Sequence, residues 1–149
     1  MELEGLKEVM LEELASRVAR VLGPGDVVVL SGEVGAGKTT FVRAAARSLG
    51  VTDRVTSPTY QLARAYEGLK DDRRVIVNHM DFYRLEEIED RDALELDDYI
   101  GPETVTFIEW ADPALGAIEN PSIVRIYHET PTTRRIRFEG PVAERLAPC

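Results

Sequence analysis

The run Gly32-Glu33-Val34-Gly35-Ala36-Gly37-Lys38-Thr39 sets three glycines, a lysine and a hydroxyl in the spacing G-x-x-x-x-G-K-[ST]. Glycines let the backbone curl until successive N–H groups converge on one phosphate. A helix opening at Lys38 would add its unsatisfied N–H groups and the positive end of its dipole. Lys38 brings a mobile point charge for the β- and γ-phosphates. The Thr39 hydroxyl is placed to ligate Mg²⁺, and Thr40 to donate to the α-phosphate. The nucleotide-binding set read from this spacing is Glu33, Val34, Gly35, Ala36, Gly37, Lys38, Thr39 and Thr40. At ordinary residue frequencies a chain of this length carries the pattern by accident about one time in 200.

A phosphate loop that hydrolyses needs an acid at the end of a neighbouring apolar strand, to hold Mg²⁺ or a Mg²⁺-bound water. Two runs offer one: Val105-Thr106-Phe107-Ile108-Glu109 and Val75-Ile76-Val77-Asn78-His79-Met80-Asp81. Ligands of open α/β sheets sit at the carboxyl ends of strands, so both acids are candidates to face the loop. Glu109 takes the metal side with Thr39. Asp81 has two open roles, orienting the attacking water or holding a Mg²⁺-bound water. The expected catalytic set is Lys38, Asp81 and Glu109. His79 reads as an ordinary half-buried polar residue, since a lone histidine is weak evidence. Trp110 reads as core or pocket wall, or equally as a cover for a nucleotide. Thr56-Ser57-Pro58-Thr59 sets hydroxyls roughly where a γ-phosphate-sensing switch would lie.

The elements that must hold these groups are legible from periodicity. Leu6, Met10, Leu14, Val18 and Val21 recur at helical spacing, predicting an amphipathic helix over 5–22 that ends at Gly23-Pro24-Gly25. Val27–Leu30 reads as a strand buried on both faces. A helix is expected over 38–49, with Phe41, Val42, Ala45 and Leu49 inward and Gly50 as its C-terminal cap. Residues 54–60 read as a loop, Leu62–Tyr66 as a strand, Gly68–Arg73 as a polar turn, and Val75–Met80 and Val105–Trp110 as strands. Arg84–Asp98 holds eight acidic and two basic residues and reads as a solvated face. It supports only short helical turns, near Leu85–Ile88 and Asp92–Leu96. Ser122–His128 and Arg134–Glu139 alternate as late strands, paired as a hairpin across Glu129–Thr133. The expected fold is a single α/β domain over 1–149. It is a P-loop NTPase-like three-layer sandwich, with a mostly parallel central sheet, helices on both faces and late antiparallel strands.

The chain has 149 residues and a formal net charge of -9, and 44% of its residues are hydrophobic. That is enough apolar content for a packed core. The acidic balance argues against general nucleic-acid or anionic-membrane binding, which needs clustered Lys and Arg. One cysteine, Cys149, and two histidines exclude an internal disulfide and make a zinc site improbable. The start lacks a signal-peptide pattern, and no membrane-length apolar run is present. A cytoplasmic setting is expected.

Together, Gly32–Thr40, Ser57-Pro58-Thr59-Tyr60, His79-Met80-Asp81-Phe82-Tyr83-Arg84-Leu85 and Ile108-Glu109-Trp110 resemble, in order and approximate spacing, the TsaE (YjeE) family. The resemblance spans roughly residues 5–140. Tyr60 stands where phenylalanine is commoner in that family, Phe82 where leucine is, and Ala111-Asp112 where Pro-Glu is frequent. The resemblance implies a P-loop ATPase that uses ATP and Mg²⁺ and works with the TsaD and TsaB proteins. That complex transfers a threonylcarbamoyl group to adenosine next to the anticodon of ANN-decoding tRNAs. It also implies that Lys38 binds phosphate, that Thr39 and Glu109 serve the metal, that Asp81 is the acid of the H-x-D block, and that 57–60 is switch-like. No direct sequence-specific nucleic-acid binding is expected. A small-molecule kinase is an alternative, although the acidic 84–98 segment is a poor phosphate-clamping lid. A nucleotide switch without turnover is another. A GTPase reading lacks its N-K-x-D motif.

Overall fold

A computed structural model describes residues 2–33, 35–53, 55, 63–81, 101–109 and 120–146. In chain order the elements are β1 (Glu2–Leu6), α1 (Glu8–Val21), β2 (Val27–Ser31), α2 (Lys38–Ser48), β3 (Ala63–Lys70), β4 (Arg73–Asp81), β5 (Thr104–Glu109), β6 (Ser122–His128), β7 (Arg134–Glu139) and α3 (Pro141–Leu146). The strands form one seven-stranded sheet in the order β1-β7-β6-β2-β5-β4-β3.

The sheet is mixed; its parallel centre and late antiparallel strands match the expectation, while β1 and the antiparallel pairing of edge strand β3 were not foreseen. Its centre is parallel: β2 lies between β5 and β6, and β4 lies on the far side of β5. Both margins are antiparallel, β6–β7–β1 at one edge and β4–β3 at the other. The late hairpin was expected, but the early one was not. Asp71 and Asp72 both have positive φ, at 51° and 63°, which suits a two-residue turn between antiparallel strands. The polar turn foreseen over 68–73 thus shrinks to these two aspartates, and β3 runs on to Lys70.

The β-branched residues of β2 are buried throughout Val27–Leu30, as a central parallel strand requires. Val28 and Leu30 share a continuous core with Phe107, Val124, Phe41 of α2, Val18 of α1 and Val142 of α3. The helices of the described residues therefore pack over one face. Register places Val29, Ile108 and Met80 on the opposite face, where they too are buried. The helical turns expected near 85–88 and 92–96 lie outside the described residues, as do Trp110 and residues 56–60.

The first helix starts later than expected, because residues 2–6 pair with β7 as an edge strand. Its buried stripe keeps the expected Leu14 and Val18. Leu11, Leu14, Ala15, Val18 and Ala19 face the core, while Met10 is 42% exposed. The spacing i, i+3, i+4, i+7, i+8 gives a broad apolar face that meets α2. α2 itself matches its forecast, with Phe41, Val42 and Ala45 buried and Gly50 following it at φ 82°. α3 was not foreseen. Arg145 ties it to Asp26 just before β2, at 2.5 and 3.2 Å. The Asp26 hydrogen bond lifts the Arg145 guanidinium above its ordinary value. Among the described residues, no helix is long and apolar enough to cross a membrane.

Candidate nucleotide site

β2 delivers the chain to Gly32, and α2 opens at Lys38, so the glycine loop hangs between the central strand and a helix N-terminus. Gly37 occupies the N-cap at φ 112°, a conformation that side chains rarely adopt. A Cβ there would lie 2.8 Å from Leu11 of α1, so α1 closes against the loop. No side chain caps α2, and its first turn carries no acid. Among the described residues, the N-terminal amides of α2 thus have no side-chain cap, as a helix end that takes an anion needs.

Lys38 is 5% exposed, and its ammonium curls back over its own loop. It donates to the carbonyls of Gly32 at 2.5 Å and Glu33 at 3.0 Å. The charge is thereby held directly over the backbone that the sequence assigns to phosphate. Thr40 borders the adjoining cavity, and Gly35, Ala36 and Gly37 form its floor. Val34 lies outside the described residues.

The two acids come together through strand register. β4 and β5 run parallel with Asp81 opposite Glu109, and β5 pairs with β2 so that Glu109 lies opposite Leu30, two residues before Gly32. The Glu109 carboxylate is 3% exposed and accepts from the Thr39 hydroxyl at 3.3 and 3.4 Å. A hydroxyl and a carboxylate converging at the mouth of the loop are hard oxygen donors, the type Mg²⁺ takes, and Mg²⁺ needs only one or two from protein. The donor set fits the metal. Asp81 is placed by its backbone alone, beside Glu109 in the ladder.

His79 differs from its forecast. It is fully buried, and its Nε2 is hydrogen-bonded to Glu109 Oε2. The ring therefore belongs to the acid's surroundings, a relation hidden until β4 and β5 are set in register.

A second residue had no sequence signal. Arg134 opens β7, yet it donates to the loop carbonyls of Ala36 at 3.1 Å and Gly35 at 3.4 Å. It also holds the hairpin carbonyls of Thr130 and Thr133, at 3.1 and 2.9 Å. One guanidinium thus straps the phosphate loop to the hairpin. The cavity beside it holds about 350 Å³ and lies between Glu8 and Leu11 of α1, Gly37, Thr40, Thr132 and Arg134. That volume is in the range of small-molecule sites.

Comparison with known proteins gives a consistent result. The family model described as "Threonylcarbamoyl adenosine biosynthesis protein TsaE" matches residues 6–136. A Streptomyces coelicolor protein named "tRNA threonylcarbamoyladenosine biosynthesis protein TsaE" is 41% identical over 103 residues, 68% of each chain. The Bacillus subtilis protein of that name is 40% identical over 98 residues, 66% of this chain and 58% of its own length. That of Aquifex aeolicus is 37% identical over 118 residues, 74% of this chain and 80% of its own. The crystal structure of Bacillus subtilis YdiB superposes with a TM-score of 0.73 at 27% identity, covering 97% of this chain and 87% of that one. The matched span of 6–136 takes in the glycine loop, His79, Glu109 and Arg134 alike, and on that span the chain belongs to the TsaE family.

Proposed function

We propose that this chain is a P-loop ATPase that binds and hydrolyses Mg-ATP. Its hydrolysis would support the complex that transfers a threonylcarbamoyl group to adenosine next to the anticodon of ANN-decoding tRNAs. TsaD and TsaB are the partners this reading names, and the cytoplasm is its setting. The observation that carries it is the meeting of Thr39 and Glu109, 70 residues apart, at the mouth of a glycine loop that already holds Lys38. The names of the relatives support the tRNA-modification role. The chain would act as one domain with a three-layer P-loop arrangement, which the burial of Val29, Ile108 and Met80 on the sheet's second face supports.

In this reading the loop amides and the α2 N-terminus bind the phosphate chain, and Lys38 leaves its loop carbonyls to neutralise the β- and γ-phosphates. Thr39 and Glu109 would hold Mg²⁺, which supplies charge neutralisation at the phosphoryl oxygens when bound. The cavity beside Thr40 and Arg134 takes the nucleoside end. Asp81 orients the attacking water from the strand next to Glu109. Phosphate release from ATP tests the proposal, measured alone and then with TsaD and TsaB. Release raised by the pair supports it. Release that requires a small-molecule acceptor would indicate a kinase, and nucleotide binding without release a switch.

A further inference from the structure

Polar side chains with no exposure need a reason, and His79 is one, sitting on β4 opposite Phe107. Its Nε2 meets Glu109 Oε2. Its other ring nitrogen, Nδ1, is buried with no hydrogen-bond partner among the described residues. A carboxylate oxygen only accepts, so the ring proton belongs on Nε2. A histidine kept for packing would give way to leucine without loss of any other contact. Here the ring's one described tie runs to the acid that also accepts from Thr39.

The terminal torsion of a glutamate is broad and roughly two-fold. Pinning Oε2 from one side fixes that rotation and sets how both oxygens meet the Thr39 hydroxyl, at 3.3 and 3.4 Å. Groups that hold a metal's ligands from behind commonly change metal affinity 10- to 100-fold. We propose that His79 is a positioning residue: it orients the Glu109 carboxylate so that Glu109 and Thr39 can take a divalent cation together. This rests on the Mg-ATP reading above.

The test follows the binding of a fluorescent ATP analogue to the full chain during Mg²⁺ titration, without relying on turnover. In the unaltered protein Mg²⁺ tightens analogue binding. His79→Leu should need about 10- to 100-fold more Mg²⁺ for the same tightening, with Mg²⁺-free binding within about twofold. His79→Gln, whose amide can place an N–H near the Nε2 position, should restore the midpoint to within about threefold. An unshifted midpoint in His79→Leu, or an equal loss of Mg²⁺-free binding, overturns the proposal. If the leucine variant does not fold, His79→Gln against the shorter His79→Asn decides, and equal midpoints overturn it. Absence of any Mg²⁺ effect in the unaltered protein would instead overturn the Mg-ATP reading itself.

Discussion

Replacing Glu109 by glutamine separates the charge of this residue from its shape. The carboxylate is 3% exposed and accepts from two groups, the Thr39 hydroxyl and the His79 ring. Hydrogen bonds to a charged acceptor contribute about 1.5–3 kcal/mol each, and the amide keeps only one acceptor oxygen. Against that loss, a neutral amide is far easier to bury than a carboxylate. The two effects oppose, so the net change in stability should stay within about 1 kcal/mol, or about 3 °C in Tm for a chain this size. Catalysis has no such compensation. Removing a preorganised group that acts on developing charge typically costs about 2.7–4 kcal/mol, or about 100- to 1000-fold in kcat. Glu109→Ala should behave differently, because it leaves the Thr39 hydroxyl and the His79 N–H unpaired beside a cavity. That variant should lose about 3 kcal/mol of stability or more. Thermal melts and phosphate release, both run across a Mg²⁺ titration, read the two effects separately. Hydrolysis by Glu109→Gln at the native rate at every Mg²⁺ concentration would refute the reasoning.

Three further perturbations probe the surrounding groups. Lys38→Ala should abolish phosphate release and weaken ATP binding about 100-fold, because it removes the cation held over Gly32 and Glu33; calorimetry showing native affinity would unseat the loop assignment. Asp81→Asn should bind Mg-ATP nearly normally but turn over slowly, the pattern of an interaction made only in the transition state. Full rescue of that variant by high Mg²⁺ would assign Asp81 to a metal-bound water instead. Arg134→Gln should keep the fold yet weaken nucleotide binding about tenfold, since two loop carbonyls lose their donor, and an unchanged dissociation constant would leave Arg134 a hairpin residue only.

Much of the site was legible because the phosphate loop is local: its glycines, lysine and hydroxyls are neighbours in the chain. Glu109 was legible for a related reason, since an apolar run ending in an acid marks the end of a buried strand. His79 was misjudged because its partner lies 30 residues away, and only the pairing of β4 with β5 unites them. Arg134 was missed because a cation bound to backbone carbonyls leaves no pattern in side-chain types. Among the elements, β1 escaped notice because Gly5, at φ 67°, interrupts its alternation and only Leu6 is buried. In the stripe of α1 only Met10 was misplaced, standing in for Leu11, since both are apolar and periodicity alone does not choose between them. The antiparallel β3–β4 turn was underread because two adjacent aspartates look merely polar until their positive φ is known.

The position of β2 in the sheet has a consequence for biosynthesis. Val28 pairs with Phe107 on one side and Ser122 on the other, so both neighbours of this strand are made 79 or more residues after it. At typical translation speeds that leaves an interval on the order of ten seconds in which an apolar segment has neither edge paired. Parallel pairings across such separations also form slowly, because loop closure must precede any contact. The apolar strand that carries the phosphate loop is therefore open to aggregation until β5 and β6 follow it. Slowed elongation between residues 31 and 109 should lower the soluble yield more than the same delay placed after residue 128.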